Sequence, residues 1–248
     1  MRLTAARDWA CLEFVSDIHL QAADPATAEL FFAYLGETRA DAVFILGDLF
    51  DAWIGDDALD HAPLARRAAQ VLRACAASRP VHLMRGNRDF LLGTRFAAEA
   101  GVALIPDDAL RLDVLGEPCV LAHGDALCIA DTGYQRFRQQ TRSAAWQAGF
   151  LAQPYVERLA FASQARIESR AHQASLDHWV DVDATAARAL LAEHDACTLI
   201  HGHTHRPMDH ALGEGLARKV LSDWSATDEP PRAQVLVRNA QGWQRQQL

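Results

Sequence analysis

Ala42-Val43-Phe44-Ile45-Leu46-Gly47-Asp48-Leu49-Phe50-Asp51 sets five apolar residues against a glycine and two carboxylates. An unbroken apolar run of that length, closed by a turn residue, reads as a strand buried on both faces, as in parallel sheets covered by helices on each side. Asp48 then stands just past the strand's carboxyl end, where open α/β sheets gather ligand-binding groups on one rim. The pattern recurs four times. Residues 12–15 precede Asp17-Ile18-His19, and 81–84 precede Gly86-Asn87-Arg88-Asp89. Likewise 119–122 precede His123-Gly124-Asp125, and 198–200 precede His201-Gly202-His203-Thr204-His205. One Asp-x-His or His-x-His is usually an ordinary polar pair at a strand end; five blocks in order, each after an apolar run, imply one shared rim.

The blocks supply carboxylate, amide oxygen and imidazole but no thiolate, a donor set suited to Mn²⁺, Fe or Zn²⁺. Two divalent ions about 3.5–4 Å apart need a ligand between them, and a carboxylate with two oxygens suits that place. Asp48, alone at its strand end, is the expected bridge. Asp17 and His19 are separated by one residue, so an extended strand end would point both side chains the same way, and His203 and His205 share that spacing. Asn87 and His123 complete the candidate set. A water between two such ions loses a proton near neutral pH and can attack phosphorus in line, which makes phosphoryl hydrolysis the expected chemistry. Asp51, Asp89, Asp125 and His201 are expected to hold the ligands in orientation.

The rest of the sequence bounds this reading. At 248 residues, half hydrophobic and 23% charged, the chain has the composition of one substantial folded core. Its net charge of −8 argues against a general nucleic-acid binder. The first ten residues lack a secretory apolar stretch and no segment reads as a spanning helix, so a cytoplasmic protein is expected. The five cysteines form no CxxC pair and read as reduced fillers.

From 12 to about 130, apolar runs alternate with Ala-rich helical stretches such as 26–37 and 63–78, the pattern of an α/β fold. Strands are expected around 110–115, 119–122, 218–221 and 234–237, and a helix over 184–194. After His123 the pattern changes, and two long helices are expected over 134–148 and 155–172. They belong to an insertion, 132–180, between two parts of a core, 1–131 and 181–248. Between Asp131 and Arg170 the chain carries Arg136, Arg138, Arg142, Arg158, Arg166 and Arg170 against Asp131, Glu157 and Glu168. A basic region on an acidic chain points to an anionic ligand or membrane surface, or to a solvated helical face. Its apolar members, Tyr134, Phe137, Trp146, Phe150, Leu151, Tyr155, Leu159, Phe161 and Ile167, exceed what a small helical pair needs, and some are expected to line a ligand groove.

In sequence, the blocks resemble the calcineurin-like metallophosphoesterases, whose motifs run D-x-H, G-D-x-x-D, G-N-H-[DE], a lone H and G-H-x-H. The resemblance spans Asp17 to His205. It implies a four-layered α/β/β/α fold with a helical cap, one metal held by Asp17, His19, Asp48 and His205, and another by Asp48, Asn87, His123 and His203. Arg88 stands where the family usually has His. An imidazole can protonate an alkoxide leaving group; a guanidinium cannot, but it can stabilise one that departs as an anion, such as a phosphate. A pyrophosphate bond is therefore expected.

The segments 47–57, 85–91 and 123–128 are similar to the branch of that family acting in lipid A biosynthesis. That branch hydrolyses UDP-2,3-diacylglucosamine to UMP and 2,3-diacylglucosamine 1-phosphate (lipid X), with water attacking the α-phosphorus, usually with Mn²⁺. The resemblance implies substrate contacts at Asn87, Arg88, Asp131, Ser169 and His203, with Asp48, Arg88, His123 and His203 at the chemical step. It also implies a peripheral encounter with the cytoplasmic face of an inner membrane. The family's lid Asn and Lys are not matched: Gln173 or His172 falls where Asn would, and Lys219 is the only lysine. Two other readings stand beside this one, a pyrophosphatase or phosphodiesterase on the same scaffold acting on a soluble nucleotide, and a non-catalytic scaffold.

Overall fold

Strands buried on both faces need cover on both sides, which this chain supplies with two stacked sheets and a helical layer outside each. The structure is a computed structural model that describes residues 1–6, 9–175 and 180–248, the side chains of 169–175 excepted. Its strands are β1 (Arg2–Thr4), β2 (Cys11–Val15), β3 (Ala42–Leu46), β4 (Val81–Met84), β5 (Ala103–Ile105), β6 (Ala109–Val114), β7 (Glu117–Ala122), β8 (Thr198–His201), β9 (Asp209–Gly213), β10 (Leu216–Val220), β11 (Gln234–Asn239) and β12 (Gly242–Gln247). Its helices are α1 (Pro25–Glu37), α2 (Ala58–His61), α3 (Pro63–Ala76), α4 (Thr94–Ala100), α5 (Thr132–Thr141), α6 (Ala144–Leu151), α7 (Tyr155–Ser175) and α8 (Ala184–Glu193). One sheet is ordered β12-β11-β2-β3-β4-β5, the other β1-β6-β7-β8-β10-β9.

In the first sheet β2, β3, β4 and β5 run parallel, and in the second β7, β8 and β10 do. Alternation along each strand then divides the core. Val15, Val43, Ile45 and Leu83 face Phe31, Leu72 and Phe96 of α1, α3 and α4. Phe14, Phe44, Leu46 and Met84 face Leu110, Leu112, Leu121 and Ile200 of the other sheet. On the far side Val120, Ala122 and Leu199 pack on Ala187 and Leu191 of α8. Three apolar interfaces between four layers give the α/β/β/α order. Local signals start the helices where they stand: Asp24 accepts from the Thr27 amide with Pro25 in the first turn, and Asp183 accepts from the Ala186 amide.

Helix expected over 134–148 is broken. α5 stops at Thr141, and Ser143, in extended backbone, accepts from the Trp146 amide to begin α6, so α5, α6 and α7 stand where two long helices were expected. A serine in an otherwise helical run was the available signal, since its side chain competes for backbone donors.

Candidate functional site

The five blocks meet on one rim, on backbone that is not extended. Asp17, His19, Asp48, His203 and His205 have φ of 54°, 53°, 51°, 66° and 52°. The expectation that Asp17 with His19, and His203 with His205, align as on an extended strand end is therefore incorrect. They converge because each turns through left-handed backbone past its strand, a conformation costing roughly 1–3 kcal/mol per non-glycine residue where the surroundings enforce it. Hydrogen bonds enforce it here: the Asp17 and His19 amides donate to the Gly47 and Asp48 carbonyls at 3.1 and 3.0 Å, and the Trp224 amide donates to the Asp17 carbonyl at 3.1 Å. Two glycines permit the close approach. A Cβ on Gly86 would lie 2.3 Å from the Asp48 nitrogen, and one on Gly202 2.2 Å from Asp17 Oδ2.

All seven candidate ligands gather there. The ligand atoms of Asp17, His19 and His205 lie within 4.8 Å of one another, as do those of Asp17, Asp48 and His123. Asp48 stands between the halves, with Oδ2 3.3 Å from His19 Nε2 and Oδ1 3.7 Å from His123 Nε2. Asn87 Oδ1 lies 2.8 Å from His123 Nε2 and 2.7 Å from His203 Nδ1. Asp17 Oδ2 accepts from Ser16 Oγ and the His203 amide, whereas its Oδ1 is buried with no hydrogen-bond partner among the described residues. An orphaned carboxylate oxygen 3.3 Å from His205 Nε2 is a group that a cation satisfies, so the donor set fits divalent metal ions.

The electrostatics have the same cause. Burial alone would lower His123, but the carboxylates of Asp48, Asp17 and Asp125 outweigh it and raise the imidazole to about 9. Burial, reinforced by the charge of His123, lowers His203 to about 4. Burial opposes ionisation of Asp17, yet the imidazoles around it, His205 foremost, hold its carboxyl well below the usual range. The rim thus concentrates buried negative charge that needs cationic partners.

Surrounding groups hold this arrangement. Asp89 accepts from the amides of Gly86 at 2.6 Å and Leu49 at 2.7 Å, tying the turn after β4 to the turn after β3. Arg88 donates its backbone N–H to Asp48 Oδ1 at 2.8 Å, and its Nη1 lies 2.6 Å from Asp51 Oδ1. Asp51 also pairs with Arg166 of α7. His201 is buried, with Nδ1 2.9 Å from the Gly202 carbonyl and Nε2 3.5 Å from Arg218 Nη1.

Asp125 binds Tyr134 and Arg138 of α5, so its role is to anchor the helices above the rim. Arg138 also meets Asp108, Arg142 donates to the Gly86 carbonyl at 3.0 Å and covers the Phe90 ring, and Arg158 pairs with Asp57. Four of the six arginines thus pair with the core below, which removes most of the charge argument for an anionic surface; Arg136 is exposed. Asp131 lines the cavity and caps α5, accepting from the Tyr134 amide at 2.9 Å. Ser169, Gln173 and His172 have side chains outside the described residues.

Between rim and helices lies a cavity of about 570 Å³. Asp48, Asn87, Arg88, His203 and His205 line one part of it; Ile54, Phe90, Leu91, Phe137, Trp146, Phe150 and Phe161 line another. Of the apolar residues expected at a groove, Tyr134, Phe137, Trp146, Phe150 and Phe161 are in it, while Leu151, Tyr155, Leu159 and Ile167 are not among its lining. The sequence reading missed Asp223, whose Oδ2 lies 3.6 Å from His205 Nδ1. Its signal was a sixth copy of the pattern, since Ser222-Asp223 follows the apolar end of β10.

Strand ends presenting two carboxylates, an amide and imidazoles to a cavity define a metal-dependent hydrolase. The chain belongs to the calcineurin-like phosphoesterase family, whose profile matches residues 14–207. Within it, the chain is 44% identical over 244 residues to the UDP-2,3-diacylglucosamine hydrolase of Stenotrophomonas maltophilia (strain K279a), covering 93% of this chain and 95% of that one. It is 45% identical over 241 residues to the protein of the same name from Bordetella parapertussis, covering 94% and 93%. It is 44% identical over 217 residues to that from Chromobacterium violaceum, covering 86% and 90%.

Proposed function

We propose that the chain hydrolyses the pyrophosphate bond of UDP-2,3-diacylglucosamine, giving UMP and 2,3-diacylglucosamine 1-phosphate in lipid A biosynthesis. The observation that carries this reading is the two-part cavity, whose polar end meets the carboxylate and imidazole cluster and whose aromatic end suits acyl chains. Relatives at 44% identity that bear the hydrolase name support the same substrate.

Asp17, His19, Asp48 and His205 would hold one divalent ion and Asp48, Asn87, His123 and His203 the other, with Mn²⁺ the expected metal. Such ions acidify a shared water and take up charge on phosphoryl oxygens. Asp48, with an oxygen toward each half and its Oδ1 accepting from the Arg88 amide, would be the ligand common to the two sites. Arg88, with Nε 3.4 Å from Asp48 Oδ2 and Nη1 2.6 Å from Asp51 Oδ1, presents a permanent cation at the reacting end of the cavity. It steadies the departing phosphate without giving up a proton. Asp131 contacts the sugar from the start of α5, and His203, held by Asn87, faces the phosphates.

Residues 132–180 act as a substrate cap. Phe137 and Phe161 are part exposed and part cavity lining, and Val156, Leu159 and Ile167 nearby in sequence are exposed, which supports peripheral contact with a lipid surface. No helix among the described residues is long and apolar enough to cross a membrane. Comparing turnover of UDP-2,3-diacylglucosamine with that of UDP-glucosamine tests the reading. A large preference for the diacylated compound is expected, and equal kcat/KM for both would favour a soluble nucleotide substrate.

A further inference from the structure

His205 is more exposed than His19 or His123 in the same cluster. Its side chain is 25% exposed, against 13% for His19 and 2% for His123, and it stands on left-handed backbone in a loop. His123 Nδ1 is fixed 2.9 Å from the Leu46 carbonyl. The corresponding nitrogen of His205 faces Asp223 Oδ2 at 3.6 Å, while its Nε2 faces Asp17 Oδ1 at 3.3 Å. Asp223 is buried and is itself held by Arg232, whose Nε and Nη2 lie 3.1 and 2.9 Å from its two oxygens. The next amide, that of Trp224, donates to the Asp17 carbonyl, so the segment after β10 touches both Asp17 and His205.

We propose that Asp223, held by Arg232, is a positioning residue that takes the Nδ1 proton of His205 in a hydrogen bond and thereby aims Nε2 at a divalent ion beside Asp17. The small closure from 3.6 Å to hydrogen-bond distance fixes both ring rotation and tautomer. Carboxylates behind ligating imidazoles act in this way, and their loss typically weakens metal binding roughly 10–100-fold. The inference rests on the ligand set proposed above.

The test is Mn²⁺ binding to the metal-free full chain, followed by the electron paramagnetic resonance signal of unbound Mn²⁺. Asp223→Asn should weaken one ion roughly 10–100-fold and leave the other unchanged. His205→Gln should weaken the same ion, and the double variant should bind no worse than His205→Gln alone. Arg232→Gln, which leaves the carboxylate in place, should give a smaller loss that also vanishes in the His205→Gln background, and it serves if Asp223→Asn does not fold. Wild-type binding in Asp223→Asn overturns the inference, as does a double variant in which the two losses multiply. A wild-type chain that binds no Mn²⁺ overturns the ligand set and this inference with it.

Discussion

Arg88 is the residue whose identity says most about the bond that breaks. Its backbone amide holds Asp48 and its guanidinium lies between Asp48 and Asp51, so the charge is fixed at the rim before substrate arrives. Arg88→His keeps the amide and removes the permanent cation. Turnover on UDP-2,3-diacylglucosamine should fall by roughly 10²–10³-fold, the cost of losing one charge-stabilising donor. Phosphodiesters with alcohol leaving groups should lose less, because they gain a general acid. Unchanged pyrophosphate cleavage would reduce Arg88 to a structural role. Asp48→Asn should be at least as damaging, since it removes charge between the two halves, whereas Cys75→Ala, on the buried face of α3, should leave kcat nearly intact. Rates alike for these two would place the site elsewhere.

At the level of elements, α7 is tied to the loop after β3. Arg158, 3% exposed, donates to the Ile54 and Gln153 carbonyls and pairs with Asp57, and two turns later Arg166 pairs with Asp51. Arg158→Ala strands a buried carbonyl and should cost roughly 1–3 kcal/mol, read as a lower unfolding midpoint. KM for the diacylated substrate should rise while Mn²⁺ affinity stays unchanged; an unaltered midpoint and KM would show that the cap is held by its apolar contacts alone. The partners of these arginines were not legible in the sequence, since each lies far away along the chain. The composition gave a basic surplus, and only the fold shows where most of it goes. The polar, exposed edge strands β1, β9 and β12 were likewise missed: strands with little to bury leave no apolar run.

Across the whole molecule, stacking two sheets brings the ends of β2, β3 and β4 on one side and of β7, β8 and β10 on the other to a single rim. Five of those six ends could be read because their strands are buried on both faces and stop abruptly at Gly, Asp, Asn or His. The strand before the sixth end was expected at 218–221, but Arg218 and Lys219 interrupt its apolar run, so Ser222-Asp223 did not stand out as a further block. Left-handed backbone at the ligands could not be read either, since nothing local in Asp-x-His or His-x-His calls for it. A single rim loaded with divalent ions is thus proposed to cleave one pyrophosphate bond. The most direct measurement is incubation of the purified chain with UDP-2,3-diacylglucosamine in ¹⁸O-water, after chelation and again after Mn²⁺ is restored, with products read by mass spectrometry. No turnover is expected in the chelated protein, and with Mn²⁺ equal amounts of 2,3-diacylglucosamine 1-phosphate and UMP, the label in UMP. Turnover without metal, or release of UDP in place of UMP, would contradict the proposal.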